Sequence, residues 1–187
     1  MKKSTMILLG VSAVIVIIIS MLGGSYNSLV TKQEQVDKEL ANIDVQLERR
    51  ADLIPNLVST VKGYTSHESE IIDKITSARE NLLKADSVSE KSTANNELTS
   101  ALNALMVVVE NYPDLKSNQN FIQLSDELAG TENRIATARR DYNDSVTSYN
   151  TSIKKFPTNI LAGMFGFEKK DYFEVSEGKT DVPNVEF

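Results

Sequence analysis

The sequence predicts an all-α fold: an N-terminal transmembrane helix followed by an antiparallel four-helix bundle. Three observations predict it. Residues 6–22 read MILLGVSAVIVIIISML, and no charge occurs from Ser4 to Thr31. Beyond Leu29 the apolar residues recur at spacings built from three and four, the helical period. Glycine (8) and proline (4) are scarce in a chain of 187 residues, which suits long helices and argues against a sandwich or a glycine-rich nucleotide site.

The first element is the apolar run. Ser4 to Gly24 is 21 residues. As a helix it is about 31 Å long, a match for a bilayer core of about 30 Å. Membrane lipid is therefore the expected partner of residues 4–24. A cleaved signal peptide competes with this reading, since Lys2 and Lys3 resemble an n-region. The run is longer than a usual h-region, however, and SMLGGSYN (20–27) offers no clean small-x-small cleavage site. An uncleaved, single-pass anchor over residues 1–24 is the favoured reading. Lys2 and Lys3 sit at the N-terminal edge, so the positive-inside rule puts the N-terminus inside the cell membrane and the bundle outside.

The body, residues 25–157, reads as helices. Leu29, Val36, Leu40, Ile43, Leu47, Ile54, Leu57 and Val61 form one stripe, which continues through Tyr64, Ile71, Ile75, Ala78 and Leu82. Segment 85–92 (ADSVSEKS) is polar and reads as a connection. A further helix, about 92–111, carries Leu98, Leu102, Leu105 and Val109. It ends at Asn111-Tyr112-Pro113, because proline cannot continue it. The last helix, about 116–156, carries Phe121, Leu124, Leu128, Ile135, Tyr142, Val146, Tyr149 and Ile153, and stops at Pro157. Pro55 decides the topology. A reversal near Arg50, with Asp52 as N-cap and Pro55 in the first turn, gives four helices running alternately up and down. The alternative is one kinked helix through residue 84. The reversal is the expectation here, since it lets the last helix cover the stripe of 29–47.

Residues 158–187 differ in character. Ile160, Leu161, Met164, Phe165 and Phe167 either pack on the bundle as a docked flap, the simpler reading, or lie against the membrane. Beyond Glu174 the chain is polar and reads as a mobile tail.

Composition excludes several functions. Asp plus Glu (26) outnumber Lys plus Arg (20), for a net charge of −6, and a nucleic-acid partner would require a basic face. With no cysteine and one histidine, thiol chemistry, zinc ribbons and paired-histidine metal motifs are out. His67-Glu68 lacks the second histidine four residues on, where Ile71 stands. Glu68 and Glu70 do not share a helix face. Asp141 and Asp144 do, among Lys and Arg, as a solvated surface does. No phosphate loop or GxGxxG is present. No catalytic residue, cofactor or metal is therefore expected, and the chain is not expected to be an enzyme.

Charge combined with apolar periodicity marks one place. Arg50 falls in register with Leu47 and Ile54, facing the core, and Glu132 and Arg139 border Ile135 and Tyr142. A buried arginine needs a carboxylate. The expected inter-helix polar cluster is Arg50, Glu110, Glu132 and Arg139, with Arg50 or Arg139 paired to Glu132 or Glu110. Its functional counterpart is a polar pocket for an anionic group. Tyr142-Asn143 and Tyr149-Asn150 are seven residues apart and share a face, with the tyrosines read as core and their hydroxyls paired. Asn150-Thr151-Ser152 also fits a glycosylation sequon, a weak signal on a helix.

These residues resemble the LemA family of bacterial membrane proteins. The likeness runs through YNSLV (26–30), IDVQLERRADLIPNLVSTVKGY (43–64), HE (67–68), ENYPDLKSNQNFIQL (110–124), TENRIATARRDYND (131–144), YN (149–150), FP (156–157) and FGF (165–167). Leu40-Ala41 departs from it, where the family often carries an aromatic. The resemblance implies a single-pass anchor carrying a four-helix bundle, with no established activity, cofactor or catalytic residue. Descriptions of the family tend to place the bulk of the protein in the cytoplasm, opposite to the charge reading. Together these readings lead to a membrane-anchored, non-enzymatic interaction or scaffold protein of the cell envelope. Its expected partner is an envelope protein or a second copy of itself. The alternative is a ligand-sensing module with a pocket near Arg50, Glu132 and Arg139.

Overall fold

The structure is a computed structural model, and it describes residues 3–65 and 68–174. It is all-helical there: α1 (Lys3–Lys62), α2 (Ser69–Lys84), α3 (Val88–Val109), the short α4 (Pro113–Lys116), α5 (Gln119–Lys154) and α6 (Thr158–Phe165). Among the described residues the chain divides into two compact units. An N-terminal unit takes the residues up to Glu39 with Asn143–Lys170. A bundle unit takes Leu40–Tyr142 with the residues from Asp171 on.

In the bundle unit four helices alternate in direction. Lys91 of α3 meets Asp44 and Asn95 meets Arg50, so α3 runs parallel to α1. Glu127 meets Arg49 and Asn118 meets Tyr64, so α5 runs antiparallel to it. Arg79 reaches Ala51 from α2, and Asn81 of α2 reaches Glu97 of α3. The core holds Ile43, Leu47, Ile54, Leu57, Val61, Ile75, Leu82, Leu98, Leu105, Phe121, Leu128 and Ile135, all buried. Those positions follow the periodicity, because a helix whose apolar residues recur at three and four buries one stripe. The expected stripe is not followed everywhere: Leu40, Leu102 and Leu124 are half-buried, Ile72 is buried in place of half-buried Ile71, and Tyr64 is exposed, its hydroxyl accepting a bond from Asn118 Nδ2 at 2.8 Å.

The expected reversal near Arg50 is wrong. Helix α1 continues through Pro55 to Lys62, Asp52 caps nothing, and the chain turns between Lys62 and Ser69. Proline at 55 takes away the N–H that would bond the carbonyl of residue 51. That carbonyl is satisfied from outside, since Arg79 Nε donates to Ala51 O at 2.8 Å.

Two other boundaries move for local reasons. α3 begins at Val88 rather than about 92, because Ser87 and Glu90 form a capping box. The Ser87 hydroxyl accepts from Glu90 N at 3.2 Å, and the Glu90 carboxylate accepts from Ser87 N at 3.0 Å. The hydrogen bonds to Ser87 and Asp86 hold that carboxyl below its usual range. α5 begins at Gln119 because Asn118 Oδ1 accepts from Phe121 N at 3.0 Å, an N-cap bond.

In the N-terminal unit Leu29, Val36, Val146, Tyr149, Leu161 and Ala162 are buried. Lys32 of α1 bonds Ser148 and Ser152 of α5, and Lys170 pairs with Asp37 at 3.0 Å. α6 ends at Gly166, whose φ of 72° favours glycine, and Phe167 N donates back to Ala162 O. Towards its start α1 is long and apolar enough to cross a membrane, and no described residue covers it there. Leu9, Val11, Ile15, Val16, Ile17, Ile19 and Met21 are each at least half exposed.

Candidate functional site

The polar centre of the bundle unit is built on Arg50, which is 3 % exposed. Helix α1 puts it one turn from Leu47 and Ile54, so its guanidinium enters the core. Its Nη1 donates to Asn95 Oδ1 at 2.6 Å and to Thr99 Oγ1 at 3.0 Å, both on α3. Glu132 Oε2 of α5 lies 2.6 Å from the same nitrogen. Nη1 has only two hydrogens, so the carboxylate makes a charge contact off the hydrogen-bonding direction. Arg139 stands 3.8 Å from the other Glu132 oxygen, and its guanidinium lies 6.0 Å from the ring centre of buried Phe173. Burial pulls the Arg50 guanidinium down from its ordinary value. Glu132 raises it again and Arg139 lowers it further. An arginine starts so high that it stays charged regardless.

Three of the four expected cluster residues thus come together: Arg50, Glu132 and Arg139. Glu110 does not join them. It caps the C-terminus of α3 and pairs with Lys116 at 2.6 Å on the surface. Asn95 and Thr99 are members the sequence reading missed. The available signal was Asn95 standing three residues before Leu98, a polar side chain in a core register.

The centre is not fully satisfied. Arg50 Nε, Asn95 Nδ2, Glu132 Oε2 and Ser125 Oγ are buried and have no hydrogen-bond partner among the described residues. Beside them a cleft of about 350 Å³ opens between α3 and α5. Arg50 and Leu57 of α1 line it with Thr99, Leu102, Leu105 and Met106 of α3, and Ser125, Leu128 and Glu132 of α5. Chemically it is an apolar slot with both a buried acceptor and a buried donor at its wall, a composition that suits a mixed polar and apolar ligand or side chain.

A second polar centre lies in the N-terminal unit. Asn150, 4 % exposed, accepts from Lys170 N at 3.0 Å and donates to Lys170 O at 2.8 Å. Both of its amide functions are engaged with the backbone, so the asparagine of the sequon is buried in this fold. In the bundle unit Tyr142 donates to Asp171 O at 2.8 Å, and Ser92 donates to Glu174 O at 2.7 Å. Tyr149 departs from the expected pairing: its hydroxyl is buried without a partner among the described residues. Burial first, then the negative charges of Asp37 and Glu168, push it above the usual tyrosine range. His67 and the segment after Glu174 lie outside the described residues.

The family model of the LemA family matches residues 39–187. The chain belongs to the LemA family. The magnetosome proteins MamQ 1 and MamQ 2 of Paramagnetospirillum magneticum are each 33 % identical to it over 175 residues. The match takes in 80 % of the chain, which spans only 64 % of the length of those relatives. The protein LemA of Metamycoplasma hominis is 30 % identical over 166 residues, 87 % of this chain and 75 % of that protein. Membership accords with the all-helical body, and the apolar start of α1 fits a membrane location for this LemA-family chain.

Proposed function

We propose that this LemA-family protein is a non-enzymatic, single-pass membrane protein whose helical bundle binds an envelope partner or another copy of itself. Residues 1–24 form the anchor, 25–157 the helical body and 158–187 the flap and tail. The N-terminus lies inside and the bundle outside. The observation that carries the reading is the uncovered apolar start of α1, continuous with the helix that enters the bundle. Apolar side chains held out on one helix, with no described residue against them, are unfavourable in water and are stabilised by transfer to lipid. Arg50, Glu132 and Arg139 serve the bundle as an inter-helix ion-pair cluster. The cleft between α3 and α5, with exposed Met106 and Val107 on α3, supplies the apolar surface on which a partner helix would seat.

A photo-crosslinking residue at Val107, in native membranes, tests the binding. Adducts with protein are expected, and recovery of lipid and monomer alone would count against it. Topology is tested by Ser176→Cys in a chain with no other cysteine. Labelling of intact cells by a membrane-impermeant thiol reagent is expected, and labelling only after lysis would reverse the orientation.

A second reading is favoured by Ser125 Oγ and Arg50 Nε, buried at the cleft with no hydrogen-bond partner among the described residues, and by Glu132 Oε2, which has only its charge contact with Arg50. In it the cleft binds a small anionic or mixed-polarity ligand. A thermal-shift screen with anionic metabolites separates the two, since a ligand of the folded state raises the melting temperature.

A further inference from the structure

We propose that α6, with Phe156 before it, is a second membrane contact: a short helix lying in the bilayer interface at the foot of the anchor. The proposal rests on the reading that residues 4–24 lie in lipid.

Its sequence is the first observation. From Phe156 to Phe167 there is no charged residue, and Thr158–Phe165 reads TNILAGMF. One side of this helix is used by the protein, through buried Leu161 and Ala162. The outward side carries Asn159 and Gly163 but also leaves large apolar side chains exposed. Phe156 is 81 % exposed, Met164 72 %, Phe165 57 % and Ile160 52 %. Ile160 and Met164 are four residues apart and share a face. Apolar side chains on both sides of a helix favour taking both out of water, and here the protein removes one.

The second observation says what covers the other. Tyr26 stands two residues beyond the apolar run, and its ring packs edge-on against Phe165 at 4.9 Å and Phe167 at 5.7 Å. The start of α6, at Pro157 and Thr158, shares a hollow with Met21 and Gly24. Both ends of α6 are therefore held at the level where the anchor leaves the hydrocarbon. Ile160 and Met164 are thereby exposed beside the end of the apolar run, and Tyr26 occupies the depth at which tyrosine rings gather in membrane proteins. Charge adds a third element. Exposed Lys154 and Lys155 precede the apolar stretch and Lys169 follows it, with Glu168 between, a net basic flank for anionic headgroups.

The chain has no cysteine, which makes site-directed spin labelling direct. The full chain is reconstituted in phosphatidylcholine vesicles containing phosphatidylglycerol, with one nitroxide at Met164→Cys or, separately, Ile160→Cys. Val16→Cys serves as the anchor reference and Val45→Cys as the water reference. Accessibility to oxygen, which concentrates in lipid, is compared with accessibility to a water-soluble nickel chelate. Oxygen is expected to dominate at 160 and 164, as at 16. Nickel dominating at 160 and 164 while oxygen dominates at 16 overturns this proposal and leaves the anchor standing. Nickel dominating at all of them overturns both. Exclusion of both reagents at 160 and 164 also overturns it, because a protein surface, such as a second copy, then covers the helix.

Discussion

Each unit buries a polar centre, and these two are finished differently. In the N-terminal unit Asn150 meets the N–H and the C=O of Lys170, so a neutral amide and a backbone amide satisfy each other. In the bundle unit Arg50 brings a charge, draws on Asn95, Thr99 and Glu132, and still leaves buried donors and acceptors over. The difference separates a fastening from a candidate site. A closed neutral clamp has no capacity for another group and acts by holding the segment after α6. An incompletely paired charged centre beside a cleft has capacity for one more polar partner, and its unmet desolvation favours finding it.

The largest expected effect breaks the charged centre. Glu132→Ala leaves Arg50 in the core without its counter-charge and should destabilise the protein. Losing one partner of a buried pair is severe, but the Glu132 side chain is 32 % exposed, so the cost is about 2–3 kcal/mol. Urea unfolding of the full chain in detergent checks it. The double change Arg50→Met with Glu132→Leu should recover most of the loss, as apolar replacement of a buried pair commonly does. An unchanged unfolding midpoint for Glu132→Ala would take Glu132 out of any buried pair.

The clamp comes next. Asn150→Ala orphans two backbone groups of Lys170 and should cost about 1–3 kcal/mol. It should also speed tryptic cleavage at Lys169 and Lys170, which a gel time course reads. If cleavage stays as slow as in the parent, the clamp does not hold that segment.

Arg79 tests a different polar contact within the bundle unit. Arg79→Met strips the Ala51 carbonyl of its donor and should cost about 1–2 kcal/mol. In a Pro55→Ala background the restored N–H of residue 55 can take over, so the cost of Arg79→Met should shrink. Equal costs in both backgrounds would show that the Arg79 bond is unrelated to the proline.

The smallest effects come from the two tyrosines, and they sharpen the comparison. Tyr142→Phe loses the bond to Asp171 O and should cost about 1 kcal/mol. Tyr149→Phe removes a buried hydroxyl without a partner and should be neutral or slightly stabilising. The pH dependence has a definite sign. The Tyr149 phenol is held above its ordinary value in the fold, so the folded state keeps that proton more tightly than the unfolded chain does. Its contribution is complete below the usual tyrosine range and is lost as pH rises through it. The parent should therefore lose stability faster than Tyr149→Phe on alkaline titration, followed by thermal melts.

How far the sequence carried can be judged on particular residues. Arg50 in a core register announced a buried charge, and Glu132 on the stripe of Ile135 was a legible partner. Glu110 was an equally plausible carboxylate by pattern, but it lies at the end of α3, where Lys116 takes it on the surface. Asn95 and Thr99 sit on a helix whose neighbour was unknown, so their bonds to Arg50 had no one-dimensional signal beyond a polar residue in a core position. The capping box at Ser87 and Glu90 was fully legible, because it depends on four consecutive residues, and it would have moved the start of α3 correctly.

The sequence by itself determined the local and periodic properties of this protein. The apolar run of residues 4–24, the helical stripes, the stops at Pro113 and Pro157 and the presence of a buried arginine all follow from nearest-neighbour sterics and from burying apolar surface. Only the tertiary structure decided whether Pro55 ends a helix. A proline interrupts a helix when the carbonyl it orphans finds no donor, and Arg79, 28 positions away along the chain, provides one. It likewise decided that Tyr142 is satisfied and Tyr149 is not, though both occupy the same register. Their hydroxyls depend on which backbone atom the segment after α6 brings within reach.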